Sequence, residues 1–285
     1  MVEHWLPKPR VAGSSPVFRS IMTQQFISSL QNQKVKQLVL LQQKSSERRQ
    51  SDLFVVEGLR ELRHCVSKGY RIESLFFCKA LLTESVDDLM AEQKYEVTPQ
   101  VYEKMAYRGS TEGVIAVMHM NHLTLEDLKL KEHPLLVVLE SVEKPGNLGA
   151  VLRSADAAGA DAVIVCDPLT DLYNPNLIRA SIGALFTVPT VAVDSAECIK
   201  FLKARGIRIL TAQLQDSEFY YDTDMRCGTA IVMGTEATGL TNQWREAADA
   251  HIRIPMCGRL DSLNVSVSAA ILLFEAVRQR MGNKD

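Results

Sequence analysis

The sequence predicts an α/β protein in two parts: a C-terminal half built on a parallel sheet and a small N-terminal α/β domain. Three observations carry this. From Leu135 onward, short apolar runs (LLVVL, DAVIVC, TVPTVAV, IRILTA, TAIVM) alternate with helical segments at Leu148–Ala158, Pro175–Leu185 and Ala196–Ala204. Near-continuous apolar strands separated by helices indicate a parallel sheet covered on both faces. Before them, helical and strand periods alternate over a shorter span. Between the two lies HMNHLTLEDLKLKEHP, His119–Pro134, polar, weakly periodic and ending in proline, which marks a boundary. At 285 residues the chain is long enough for two cores. The division is then 22–118, a linker at 119–134, and 135–285.

Taken in order, the first element is a helix over Ser29–Gln43. A strand follows at Leu53–Val56, then a helix on which Leu59, Leu62 and Val66 recur at helical spacing, and strands at Ser74–Phe77 and Gly113–Met118. Ahead of them, MVEHWLPKPRVAGSSPVFRSI has three prolines, no clear period and no apolar signal-peptide core. Residues 1–21 therefore read as a disordered or spurious extension, with translation starting at Met22. In that reading GSSP, Gly13–Pro16, is what a tRNA gene's T-arm spells when read as codons.

Composition narrows the function classes. A net charge of −2 argues against a generally basic nucleic-acid coat. Between Gln31 and Arg71, however, nine basic residues face four acids, a surplus that suits either a phosphate-attracting patch or a merely solvated helical face. The six cysteines are scattered without ligand-like spacing, as in a reduced cytoplasmic protein with packed thiols, and no metal site is expected. The HxxH of His119 and His122 reads as a solvated linker turn. Apolar runs are of core-strand length, so no membrane span is expected.

Parallel sheets gather ligands at the carboxyl ends of their strands, and three loops there break pattern. In SVEKPGNLGAVLRSADAAGA, Gly146 and Gly149 flank Asn147 and open a helix, permitting close backbone approach to a phosphate or ribose. Arg153 lies four residues on, among Ala, Val and Leu, facing either a cleft or a structural salt bridge with Asp156. In GTEATGL, Gly234–Leu240, two glycines surround Glu236; a plain turn with Thr241 capping the next helix explains all but the acid. In IPMCGRLDSLNVSVSAAILLFEAV, a short strand ends at Ile254 and a widely apolar helix starts at Val265. Ser262 or Asn264 alone suffices as its cap.

Together and in this order, the loops resemble the three signature motifs of the SpoU (TrmH-like) ribose methyltransferases of the SPOUT superfamily. The motifs are KPGNLGAVLRSADAAGA, VMGTEATGL and IPMCGRLDSLNVSVSAAILLFEA, covering roughly the last half of the chain. The stretch SLQNQKVKQLVLLQQKSSERRQSDLFVVEGLREL resembles the family's ribosomal-protein-like substrate-binding domain, which holds RNA. The resemblance implies a deep trefoil knot, S-adenosylmethionine as cofactor, a homodimer with its active site near the interface, and methylation of a ribose 2′-hydroxyl in structured RNA, 23S rRNA first. It implies cofactor contacts from Gly234, Ile254, Met256, Leu263 and Thr211, with glycine at 234 leaving room for the ligand. It implies a catalytic group of Arg153, Asn147, Glu236, Ser262 and Asn264. The resemblance gives Arg153 a catalytic role, sometimes that of general base; because an arginine stays protonated to above about pH 12, the alternative role is a phosphate clamp and alkoxide stabiliser. Asn147, Ser262 and Asn264 would orient the nucleophile, and Glu236 would order Arg153 or its own loop. Lys44, Arg48, Arg49 and Arg60 would contact RNA phosphates.

The alternatives are a tRNA 2′-O-methyltransferase, a non-catalytic RNA-binding or ribosome assembly factor, and a nicotinamide oxidoreductase. The last has G-x-x-G in place of G-x-G-x-x-G and only Asp167 as a ribose-binding acid.

Overall fold

The computed structural model describes residues 25–107, 112–235 and 238–282. The expected extension at 1–21 lies outside these residues, as does Glu236.

The first sheet is mixed. The chain runs β1 (Gln25–Ile27), α1 (Gln33–Gln43), α2 (Ser45–Ser51), β2 (Leu53–Glu57), α3 (Leu59–Ser67), β3 (Ile72–Phe77), β4 (Ala91–Val97), α4 (Pro99–Met105) and β5 (Val114–His119). The order across the sheet is β1-β4-β3-β5-β2. β5 pairs antiparallel with β2 and β3, whereas β4 is parallel to β1 and β3. Helix α1 starts later than expected because Asn32 caps it, its side chain accepting from the Lys34 N–H at 2.8 Å. Strand β4 (AEQKYEV) escaped the sequence reading because its buried positions, Ala91, Tyr95 and Val97, are few and its charges many.

The second sheet has seven strands, all parallel, in the order β10-β12-β9-β11-β6-β7-β8. Its elements are β6 (Leu135–Glu140), α5 (Pro145–Ala158), β7 (Ala162–Cys166), α6 (Pro175–Ser181), α7 (Ala184–Thr187), β8 (Thr190–Val193), α8 (Ser195–Ala204), β9 (Arg208–Ala212), β10 (Glu218–Phe219), a single 3₁₀ turn (Tyr220–Asp222), β11 (Thr229–Met233), α9 (Asn242–Ala247), β12 (Ala250–Arg253) and α10 (Val265–Met281). β6, β7 and β11 are buried along their whole lengths, as the continuous apolar runs require. The expected helix over Pro175–Leu185 is two. Ile182 and Gly183 turn left-handed, at φ 53° and 83°, and re-aim α7. α7 in turn ends at Thr187, which delays the strand expected from Thr187 until Thr190.

The stretch expected as a polar boundary is a packed strap. Met120, Leu125 and Leu128 are buried, the latter two in the core beneath α8 and α9. Its histidines are paired: His119 Nε2 lies 3.1 Å from Glu92 and His122 Nε2 lies 2.5 Å from Asp52. The two sheets also share one core. Phe54 of β2 sits 4.4 Å from Tyr173 and 5.9 Å from Phe186, ring centre to ring centre. The Tyr173 hydroxyl donates to the Asn121 carbonyl at 2.6 Å. Of the cysteines expected to be packed, Cys227 is half-buried and Cys257 exposed. No helix among the described residues is long and apolar enough to cross a membrane.

Candidate active site and cofactor cleft

The three pattern-breaking loops meet at the carboxyl edge of the second sheet. A cleft of about 410 Å³ opens there between the segments that follow β9, β11 and β12, with the first turns of α10 as its floor. Gly234, Ile254, Met256 and Leu263, expected as cofactor contacts, line it, and so does Ser262, expected in the catalytic group. Thr211 does not: its side chain is fully buried one residue short of the wall, its hydroxyl 2.6 Å from His251 Nδ1 across to β12. Ala212 lines the cleft in its place.

Gly234 has a different reason from the one expected. A Cβ there would collide with the backbone of Gly239 and Leu240. The glycine lets the loop after β11 fold back on itself, and ligand space follows from that closure. Gly149 is corrected in the same sense: a Cβ would meet Ala180 and the Ser181 nitrogen of α6 at 2.6 and 2.8 Å. It is a helix-packing glycine, not an anion cradle.

The first and third motifs touch directly. Asn264 Nδ2 donates to Asn147 Oδ1 at 3.1 Å. Asn264 is also the cap of α10, its Oδ1 accepting from the Ser266 N–H at 3.0 Å and from the Ser266 hydroxyl at 2.6 Å. One amide therefore fixes the helix start with its oxygen and ties the first motif to the third with its nitrogen. Ser262 is exposed, its hydroxyl donating to Asp261 at 3.3 Å. Arg153 stands exposed on α5 and makes no hydrogen bond or ion pair among the described residues. The expected structural alternative, a bridge to Asp156, is not formed, and Asp156 accepts instead from Thr187 at 2.7 Å. Glu236 lies outside the described residues, so its expected ordering role has no geometry.

Two features escaped the sequence reading. Glu140, which ends the apolar strand β6, is 2 % exposed. Its Oε2 accepts from the Thr241 N–H at 2.8 Å and its Oε1 from the Thr241 hydroxyl at 2.7 Å. Thr241 thus begins α9 without a side-chain cap bond and instead anchors the end of the second motif to the sheet. Ser195 continues the network, donating to Asp167 at 2.5 Å and accepting from Trp244 Nε1 at 3.0 Å. An acid closing the run LLVVLE was a visible signal. Asp167 is committed to this network, which removes the ribose-binding acid the nicotinamide alternative needs. The second feature is a pair of cleft-lining residues, Gln213 and Arg245, which no motif or period singles out.

The predicted RNA contacts divide. Lys44 and Arg49 are exposed. Arg60 is exposed but bonded to Glu61 at 2.6 Å. Arg48 is no RNA contact: its side chain is 3 % exposed, it pairs with Asp171 at 2.6 Å, and it donates to the Leu41 carbonyl at 2.5 Å. It is a strut between the two halves. Among the described residues no group of three or more His, Cys, Asp or Glu could hold a metal.

With this geometry in hand, the likeness to known proteins is specific. Residues 134–274 match the family model described as SpoU rRNA Methylase family, and residues 32–116 match the MRM3-like substrate binding domain. The chain is 30 % identical over 251 residues to the 23S rRNA (uridine(2479)-2′-O)-methyltransferase of Streptomyces viridochromogenes, across 84 % of this chain and 87 % of that protein. It is 37 % identical over 195 residues to the 23S rRNA (guanosine-2′-O-)-methyltransferase RlmB of Vibrio vulnificus, across 66 % of this chain and 79 % of that protein. Its fold superimposes on the crystal structure of the SpoU methyltransferase AviRb from Streptomyces viridochromogenes in complex with the cofactor AdoMet. The TM-score is 0.82 at 28 % identity, covering 89 % of this chain and 100 % of that one. Similarity spanning both halves, with the second and third motif loops lining one cleft and the first bonded to the third, shows that the chain belongs to the SpoU rRNA methylase family.

Proposed function

We propose that this protein transfers the methyl group of S-adenosylmethionine to a ribose 2′-hydroxyl of 23S rRNA. The observation that carries the reading is the Asn264–Asn147 bond at 3.1 Å, which joins the first and third motifs beside a cleft lined by the second. The residues fit the cofactor: the cleft volume lies in the usual range for small-molecule sites. Its wall carries apolar Ile254, Met256 and Leu263 together with polar side chains at Gln213 and Arg245. When bound, the cofactor supplies an electrophilic methyl on a sulfonium. The protein's own residues do the rest. Gly234 closes the second loop around the cleft, and Ile254, Met256 and Leu263 hold the ligand. Asn147, Ser262 and Asn264 orient the ribose hydroxyl, which is the main gain when two reactants must be aligned. Arg153 grips the phosphate beside the target ribose and stabilises the alkoxide as it develops. A guanidinium is a clamp and not a base, because it stays charged throughout the working pH range.

Three further parts belong to this reading. The segment after β12 shares the cleft with the loops that follow β9 and β11, and α10 packs on α5 and β11; this arrangement supports a knotted C-terminus. Val267, Phe274 and Met281 recur every seven residues on α10 and are 46, 48 and 66 % exposed. Such a stripe supports a homodimer formed through α10, near Arg153. Lys44 and Arg49, exposed on the first domain, are the phosphate contacts that set RNA register. A cytoplasmic location follows from that substrate.

The test is transfer of label from S-adenosylmethionine by the purified protein to 23S rRNA and to tRNA, followed by mapping of 2′-O-methylation. Label at one ribose of 23S rRNA is the expected result. Label in tRNA alone, or in neither, overturns the assignment.

A further inference from the structure

The cleft holds a cation that no acid among the described residues neutralises. Arg245, on α9 just beyond the second motif, lines the cleft, and its Nε is buried without a hydrogen-bond partner. Its guanidinium makes no ion pair among the described residues. Buried polar groups in native proteins are almost always paired, and one left open at a ligand site asks for a ligand group. A second, independent sign lies in the same cleft: Gln213 Oε1 is also buried and unpartnered, although the amide nitrogen of the same side chain donates to the Gln215 carbonyl at 3.0 Å. The other cleft-lining arginine is already engaged. Arg253 donates to the Ser217 carbonyl, and its guanidinium lies 4.6 Å over the Phe219 ring. Among the described residues the cleft's acid is Asp261, on the third-motif loop. An anionic group is repelled from that wall and drawn to Arg245.

This inference rests on the methyltransferase reading. S-adenosylmethionine carries one anionic group, the carboxylate of its methionine end. We infer that Arg245 binds that carboxylate and so selects the intact cofactor over molecules that share its adenosine and sulfonium. The open Gln213 oxygen, an acceptor in want of a donor, marks the same cleft as built for a polar ligand. Nothing in TNQWREAADA points to this role, because Arg245 sits in an ordinary polar helix and only the fold of the second loop brings it to the cleft.

The experiment is calorimetric titration of the full-length protein, without RNA, with S-adenosylmethionine and with its decarboxylated analogue, which keeps the amine, sulfonium and adenosine. The wild-type protein is expected to prefer the intact cofactor by about 10- to 100-fold, the worth of a charge-assisted hydrogen bond. Arg245→Gln should lose most of that preference while binding the analogue as the wild type does, and Arg245→Lys should restore part of it. A variant that is merely damaged weakens both ligands alike and leaves their ratio unchanged, which overturns the inference. So does equal affinity of the wild-type protein for the two ligands. If the wild-type protein binds neither ligand, the methyltransferase reading fails as well.

Discussion

The cleft edge of the second sheet and the basic segment of the first domain were both singled out from the sequence, yet they fared differently. At the cleft, Asn147 and Asn264, 117 residues apart, meet side chain to side chain. In the basic segment, side chains close in sequence scatter. Arg48 is buried against Asp171, Arg60 is bonded to Glu61, and Lys44 and Arg49 are exposed. A motif encodes backbone geometry as well as residue type, so its members arrive together. A charge count encodes nothing about direction, and neighbouring positions on a helix point to different surroundings.

The largest effect is expected at Arg48. Arg48→Met leaves the largely enclosed carboxylate of Asp171 without its cation and frees the Leu41 carbonyl. It should cost about 3–5 kcal/mol, read as a shift of the urea midpoint. A loss below about 1 kcal/mol would return Arg48 to the surface patch. Next is Gly234→Ala, whose methyl must displace the Gly239–Leu240 backbone. We expect about 1–3 kcal/mol of destabilisation together with loss of cofactor binding by calorimetry; unchanged affinity would mean that closure of the second loop does not shape the cleft.

Asn264→Asp should be milder, because the carboxylate still accepts from the Ser266 N–H. Stability should stay within about 1 kcal/mol, while single-turnover methylation falls at least about tenfold through loss of the bond to Asn147. Asn264→Ala should lose both. Equal rates for Asn264→Asp and wild type would reduce the bond to a packing detail. The smallest stability effect belongs to Lys44→Ala and Arg49→Ala, each within about 0.5 kcal/mol. Each should nevertheless lower the salt dependence of RNA binding by about one unit of log–log slope. Arg48→Met that keeps the wild-type salt slope would complete the contrast.

Much of the fold was legible because burial on both faces leaves few choices of residue. Strands β6, β7 and β11 read plainly as LLVVL, AVIVC and TAIVM for that reason. Strand β4 was not legible, since a strand with charged positions along its length carries no continuous apolar run. The break between α6 and α7 was also hidden. Ile182 is an unusual residue for a left-handed turn, adopted where α6 packs on α5 at Gly149 and α7 heads toward the first domain. At the site, Gly234, Ile254, Met256, Ser262, Leu263, Asn147 and Asn264 were named in advance by motif. Thr211 was misplaced because alternation along β9 turns its side chain into the core. Glu140 is not legible because its partner, Thr241, lies 101 residues away, and Arg245 because only the folded second loop sets it at the cleft.

By itself the sequence determined the strand and helix periods of the C-terminal half, the three loops that leave those periods, and the residue types each loop offers to chemistry. These are local properties, set by which side chains can be buried and which backbone turns glycine and asparagine permit. Tertiary structure decided the rest: that Arg48 is a strut, that Gly149 serves a helix contact, that Asp156 serves Thr187 and leaves Arg153 open, and that Arg245 looks into the cleft. The physical reason is that a charge acquires its role from what neutralises it. For Arg48 that group, Asp171, lies on another element; for Arg153 and Arg245 no such group is present among the described residues, and only the folded chain decides which case holds.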